Sequence, residues 1–171
     1  PCKRYGTKRL PRPFIIEFTG SPSSGKTTII REVERFLRRS GFRVFCPQES
    51  MEAIRHLERD GRIYDARVAT YALNIVIDCA ANSNFDFVLL DRGLFDVYCW
   101  QEYWHTKGRI TYGEKDVMQR FFLDPAWMKN IDFVLFVVCE GTVAFDREYQ
   151  ISITNKPGGK TNPESLNNFF K

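Results

Sequence analysis

Short apolar runs alternate along the chain with longer stretches in which apolar residues recur every three or four positions. Phe14, Ile15, Ile16 and Phe18 form the first run and predict a buried strand. Residues 42–46, 85–90 and 131–138 repeat the pattern, so four strands are visible. Between them the period changes to that of a helix. Residues 28–40 carry Ile29, Ile30, Val33, Phe36 and Leu37 at helical spacing, with Arg38 and Arg39 in the last turn and Gly41 as a stop. Met51, Ile54 and Leu57 mark a short helix. Residues 64–81 mark a longer one with Val68, Tyr71, Ala72, Ile75 and Cys79 as its core stripe. Helical spacing returns over 94–105 and again from about 114 to 123, where Pro125 ends it. Strands that alternate with helices are joined by right-handed crossovers, which predicts a three-layer α/β fold with a parallel sheet. A fifth strand is missing from the pattern.

The first strand runs straight into a loop. From Gly20 to Thr27 the spacing fits G-x-x-x-x-G-K-[ST], a loop whose backbone N–H groups point at phosphate oxygens. Gly20, Ser21, Ser23, Ser24, Gly25, Lys26, Thr27 and Thr28 are the predicted cradle. The glycines let the backbone approach phosphate, Lys26 can bridge the β- and γ-phosphates, and the Thr27 hydroxyl can ligate Mg²⁺. The following helix adds its positive dipole end. ATP with Mg²⁺ is therefore the expected ligand. Parallel strands bring their C-terminal ends to one edge of the sheet, where ligands bind. Two carboxylates fall there: Asp91, placed to reach the metal near Thr27, and Glu49, which follows the second strand.

Composition sharpens this only in part. The chain has 25 basic and 21 acidic residues, a net +4 that demands neither a nucleic acid nor a membrane partner. Much of the excess sits in Lys3, Arg4, Lys8, Arg9 and Arg12, so residues 1–13 are expected to be a basic arm preceding one domain over 14–171. Five cysteines, without CxxC spacing, and the lack of an apolar run near ~18 residues point to a cytoplasmic protein. Cys46, Cys79, Cys99 and Cys139 read as small core residues. The chain opens on Pro1 and ends before a fifth strand, which suggests an excerpt. From Gln150 onward Asn, Lys, Gly, Pro and Ser dominate, and about 141–165 is expected to form a lid whose Lys156 and Lys160 meet phosphate.

The loop, the strand ending in Asp91-Arg92 and the aromatic helix after it together resemble the thymidylate kinase and deoxynucleoside kinase group of P-loop kinases. The resemblance spans residues from about 14 to 147. It implies Asp91 near Mg²⁺, Arg92 on phosphate oxygens, Gln101 with its neighbour Trp100 near an acceptor base, and Arg147 over the transferring phosphate. Gly93 and Asp96 depart from that pattern, where the group has an aromatic residue and a serine. The activity implied is phosphoryl transfer from ATP to a nucleoside or nucleoside monophosphate, with Lys26, Arg92 and Arg147 neutralising charge. Glu49 is the candidate base for a hydroxyl acceptor. Plain structural alternatives stand beside these roles: Arg92 pairing with Asp96, Glu49 capping the next helix, Arg147 pairing with nearby carboxylates, and the aromatic residues simply packing. A P-loop ATPase or nucleotide-sensing module of a larger assembly, and a nucleic-acid end kinase, remain as other function classes. A homodimer or larger assembly is left open.

Overall fold

The structure is a computed structural model, and it describes residues 11–53, 62–81 and 84–151. Four parallel strands stand in the order β2-β3-β1-β4, with β1 at Phe14–Gly20, β2 at Val44–Phe45, β3 at Phe87–Asp91 and β4 at Phe133–Val137. The helices are α1 (Lys26–Arg39), α2 (Ser50–Ala53), α3 (Arg62–Ala80), α4 (Leu94–Thr106), α5 (Tyr112–Phe122), α6 (Pro125–Met128) and α7 (Gly141–Ile151). This is the three-layer α/β fold with a parallel sheet that the alternation predicts. After β3 the chain crosses β1 to reach β4. The strand order therefore reverses at the C-terminal end of β1, the place where an open α/β sheet leaves a crevice.

Alternation along β1 sorts its side chains between the two helical layers. Phe18 packs with Leu89, Ile30 and Leu37 on the α1 side. Ile15 packs with Val88, Leu90, Val76 and Cys79 on the α3 side. A third cluster, Ala69, Ala72, Leu73, Leu94, Val97 and Phe122, joins α3, α4 and α5. Glu17 shares the Ile15 face of β1 and is fully buried.

Several boundaries and faces differ from the sequence reading. α1 begins at Lys26 because Gly25, at φ 101°, turns the loop directly into the helix. The predicted strand over 42–46 shrinks to Val44–Phe45, since the Phe42 N–H is spent on the Leu37 carbonyl and the Gly41 N–H on Arg38 in closing α1. Ile29 and Phe36 of α1 are exposed, not core. The α3 stripe is shifted: Ala69, Leu73 and Val76 join Ala72 and Cys79, while Val68, Tyr71 and Ile75 are half-buried. α5 starts earlier, at Tyr112, because Thr111 and Glu114 form a reciprocal capping box. Among the cysteines of the described residues, Cys79 is buried and Cys46, Cys99 and Cys139 are half-buried. Arg12 does not belong to a solvated arm, since its guanidinium pairs with Asp132 at 2.8 Å, and that carboxylate also accepts the Ile15 N–H. The rest of the arm, Ile54 and Leu57, and Lys156 and Lys160 lie outside the described residues. Among the described residues no helix is long and apolar enough to cross a membrane.

Candidate functional site

The loop after β1 is built by backbone constraints. A Cβ on Gly20 would run into the Val137 carbonyl oxygen, so the close passage of β4 past β1 requires glycine there. Ser23, at φ 57°, and Gly25 supply the left-handed turns that curl the loop. Lys26, buried by the curl, donates to the carbonyls of Gly20 at 2.9 Å and Ser21 at 2.7 Å, with the Ser24 hydroxyl at 3.4 Å. Gly20 and Ser21 thus lie behind the loop and hold the lysine. Burial, followed by the charge of Arg92, pushes the Lys26 ammonium down to about 8.

An open cavity of about 600 Å³ lies over this loop. Its walls bring together the loop from Ser23 to Thr28 with Glu49, Asp91, Arg92 and Arg147. Asp91 closes β3, and its Oδ2 accepts the Thr27 hydroxyl at 2.6 Å. The other carboxylate oxygen, Oδ1, is buried and has no hydrogen-bond partner among the described residues. Hydroxyl and orphaned carboxylate oxygen are a donor set suited to a hard divalent cation. Among the described residues no cluster of three or more His, Cys, Asp or Glu is assembled, so such an ion would take its remaining ligands from phosphate and water.

Arg92 follows Asp91 in the left-handed region, at φ 67°, a conformation that costs a non-glycine residue of order 1 kcal/mol and persists only where the surroundings hold it. Its Nε donates to Glu49 at 2.8 Å, and its Nη1 reaches both Asp96 oxygens at 3.0 and 3.1 Å. Burial lowers the pKa of the guanidinium, but Asp96 and Glu49 more than offset it, so the group stays charged. The pairing with Asp96 and the place on the cavity wall are therefore both real. Glu49 turns its side chain to Arg92, while its carbonyl accepts the N–H groups of Glu52 and Ala53. Burial raises the Glu49 carboxyl above its usual range, with Arg92 pulling the other way. Arg147, on α7, donates to the Ser24 carbonyl at 3.4 Å and so leans over the loop.

Trp100 and Gln101 are not brought to this cavity. Gln101 is buried between α4 and α3, its amide nitrogen 3.4 Å from Asp65 and its Oε1 without a hydrogen-bond partner among the described residues. Trp100 stacks on Trp104 and meets Tyr103 edge-on. No motif or spacing in the sequence marks Glu17 and Thr19. What sets Glu17 apart is that it is a lone carboxylate in the run Phe14–Gly20, on the buried parity of Ile15.

Residues 15–144 match the AAA_28 family, described as an AAA domain. The chain belongs to that family. No curated protein matches its sequence. Among solved structures this AAA domain is similar to deoxyadenosine kinase from M. mycoides with bound dATP, at TM-score 0.62 and 18% identity, covering 91% of this chain and 81% of that one. The same kinase with the product dCMP and a flexible dCDP gives TM-score 0.63 and 16% identity, covering 92% and 81%. At these identities the likeness is one of fold: the AAA domain described here has the architecture of a P-loop deoxynucleoside kinase.

Proposed function

We propose that the protein transfers the γ-phosphoryl group of ATP, with Mg²⁺, to a nucleoside or nucleoside monophosphate, and that a nucleoside hydroxyl is the favoured acceptor. The observation that carries this is Glu49, a carboxylate on the cavity wall, bonded to Arg92 and facing the same space as Lys26, Thr27 and Asp91. A hydroxyl must lose its proton as it attacks, and a carboxylate whose basicity is raised by burial is suited to accept it. A monophosphate would bring further negative charge and ask for unengaged cations. Arg92 is already shared between two carboxylates.

In this reading Lys26 directs toward the phosphates the proton left over by its two short bonds to loop carbonyls. Arg92 and Arg147 stabilise charge on the transferring group. Thr27 and Asp91 would hold Mg²⁺, which when bound neutralises phosphate oxygens. Gln101 is too buried to touch a base unless α3 or α4 moves, so the acceptor-base role implied for Gln101 and Trp100 requires such a movement. That same observation favours a second reading, ATP hydrolysis without a small acceptor.

Labelled ATP offered with nucleosides, nucleoside monophosphates and oligonucleotides separates these. Deoxyadenosine and deoxycytidine come first, because the similar structures hold dATP and dCMP. A labelled nucleoside product, lost in Glu49→Gln, supports the proposal. Labelled phosphate released at the same rate with and without every acceptor would overturn it in favour of the ATPase.

A further inference from the structure

Three consecutive residues of β1 reach the corner where β3 passes into α4. The Phe18 carbonyl accepts the N–H of the strained Arg92 at 2.9 Å. The Thr19 hydroxyl donates to Asp96 Oδ1 at 2.8 Å. Glu17, with no exposed surface, accepts the Leu94 N–H on Oε2 at 3.0 Å and the Asp96 N–H on Oε1 at 2.9 Å. α4 has no side-chain cap of its own. Its first turn is satisfied from the neighbouring strand, whose carboxyl oxygens accept N–H groups at the positive end of the helix. Gly93 makes the room: a Cβ there would sit 2.6 Å from the Glu17 carboxyl group. The departures at Gly93 and Asp96 thus belong to one arrangement, together with Glu17.

We propose that Glu17 is a positioning residue for Arg92. It is not among the residues that line the cavity, and its hydrogen bonds go to Leu94 and Asp96 of α4. Its two bonds hold the first turn of α4, that turn carries Asp96, and Asp96 grips Nη1 of Arg92 from below while Glu49 takes Nε from the cavity side. A fully buried carboxylate is costly wherever an apolar side chain would fit, so its presence on the Ile15 face of β1 needs a positional reason. The reason is the Arg92 backbone. A left-handed arginine stays in place only if the segments before and after it are both fixed, and Phe18 and Glu17 fix them.

The inference rests on Arg92 serving the phosphoryl group, so its test keeps the two apart. Turnover of labelled ATP, the KM for ATP and the Arg92 Nε–H resonance are measured on the whole chain as wild type, Glu17→Gln, Gly93→Ala, Arg92→Ala and Glu17→Gln with Arg92→Ala. Glu17→Gln keeps the volume but turns an NH₂ toward one of the two N–H groups. The expected result is about a tenfold fall in kcat with the KM for ATP within about twofold, and a double variant no slower than Arg92→Ala. A Glu17→Gln protein with wild-type kcat, or a loss that multiplies in full with that of Arg92→Ala, would overturn the inference. Should Arg92→Ala turn over normally, the functional reading of Arg92 fails, and the resonance decides the positioning. Its loss of exchange protection in Glu17→Gln supports positioning, and its persistence overturns it. Gly93→Ala displaces the carboxylate from the opposite side and answers the same question if Glu17→Gln does not fold.

Discussion

Two charged constellations flank the C-terminal end of β1, and they are made in opposite ways. The loop from Gly20 to Thr28 is contiguous in sequence, is shaped by backbone dihedrals and glycine, and presents a cation to the cavity. The network of Glu17, Thr19, Arg92, Asp96 and Glu49 gathers side chains from β1, the β3–α4 corner, α4 and the segment before α2, and lies largely behind the wall. The first can tolerate solvent because it lines an open cavity. The second cannot, because each buried carboxylate depends on a particular donor, and removing one partner leaves an uncompensated charge. The Thr27 hydroxyl ties the loop to Asp91, whose successor in the chain is Arg92.

The largest expected effect comes from breaking the loop alone. Lys26→Ala should lower turnover by about 10²–10³-fold, as for loss of one preorganised charge donor, while thermal unfolding moves little. Turnover with labelled ATP alongside a melting curve checks both halves. A large loss of stability instead would show that Lys26 serves the fold.

The network should respond to pH in a range below that of the loop, whose Lys26 is pushed down only to about 8. Burial, reinforced by Asp96 and opposed by the α4 N–H groups, pushes Glu17 up to about 7 from 4.5. Between those values the unfolded chain gives up a proton that the folded protein keeps. Stability should therefore fall as pH rises from about 4.5 to about 7, by up to about 3 kcal/mol, with this contribution flat on either side. Denaturant titrations across that range, compared with Glu17→Gln, test it; parallel pH curves for the two proteins would refute the assignment.

Crowding the network should cost somewhat less. Gly93→Ala forces the Glu17 carboxyl group out of its site and should destabilise by about 1–3 kcal/mol. That is a melting decrease of roughly 2–4 °C per kcal/mol for a chain this size. Gly113→Ala makes a control for glycine as such, since a Cβ there meets nothing within 4 Å and the backbone is not left-handed. If both changes cost the same, space at Gly93 is not the reason.

The joint between the two is expected to give the smallest change. Asp91→Asn keeps a group able to bond Thr27 but removes the charge, and should raise the Mg²⁺ concentration needed for half-maximal turnover about tenfold. A magnesium titration at fixed ATP reads this directly. An unchanged requirement would separate Asp91 from the metal.

Local signals were enough to place the loop, the parallel sheet and the strand end at Asp91. A phosphate cradle is a short-range object: glycine spacing, a lysine and a helix start within eight residues specify it whatever the rest of the chain does. Period and parity likewise located β1, α1 and α4 to within a few residues. The faces of α1 and α3 were less legible, because helical spacing identifies an apolar stripe but not which edge of it the sheet will cover, as Phe36 and Val76 show. What only the tertiary structure decided is the pairing of charges across distance in the chain. Nothing local to Glu17 names Leu94 and Asp96 as its donors, and nothing local to Gly93 explains its missing side chain. Those contacts exist because β1 and β3 lie side by side in a register that sets Glu17 opposite Leu90 and so beneath the turn into α4. The same packing kept Gln101 inside and off the cavity. Short-range geometry is written in spacing, whereas the partner of a buried charge is chosen by which strands become neighbours.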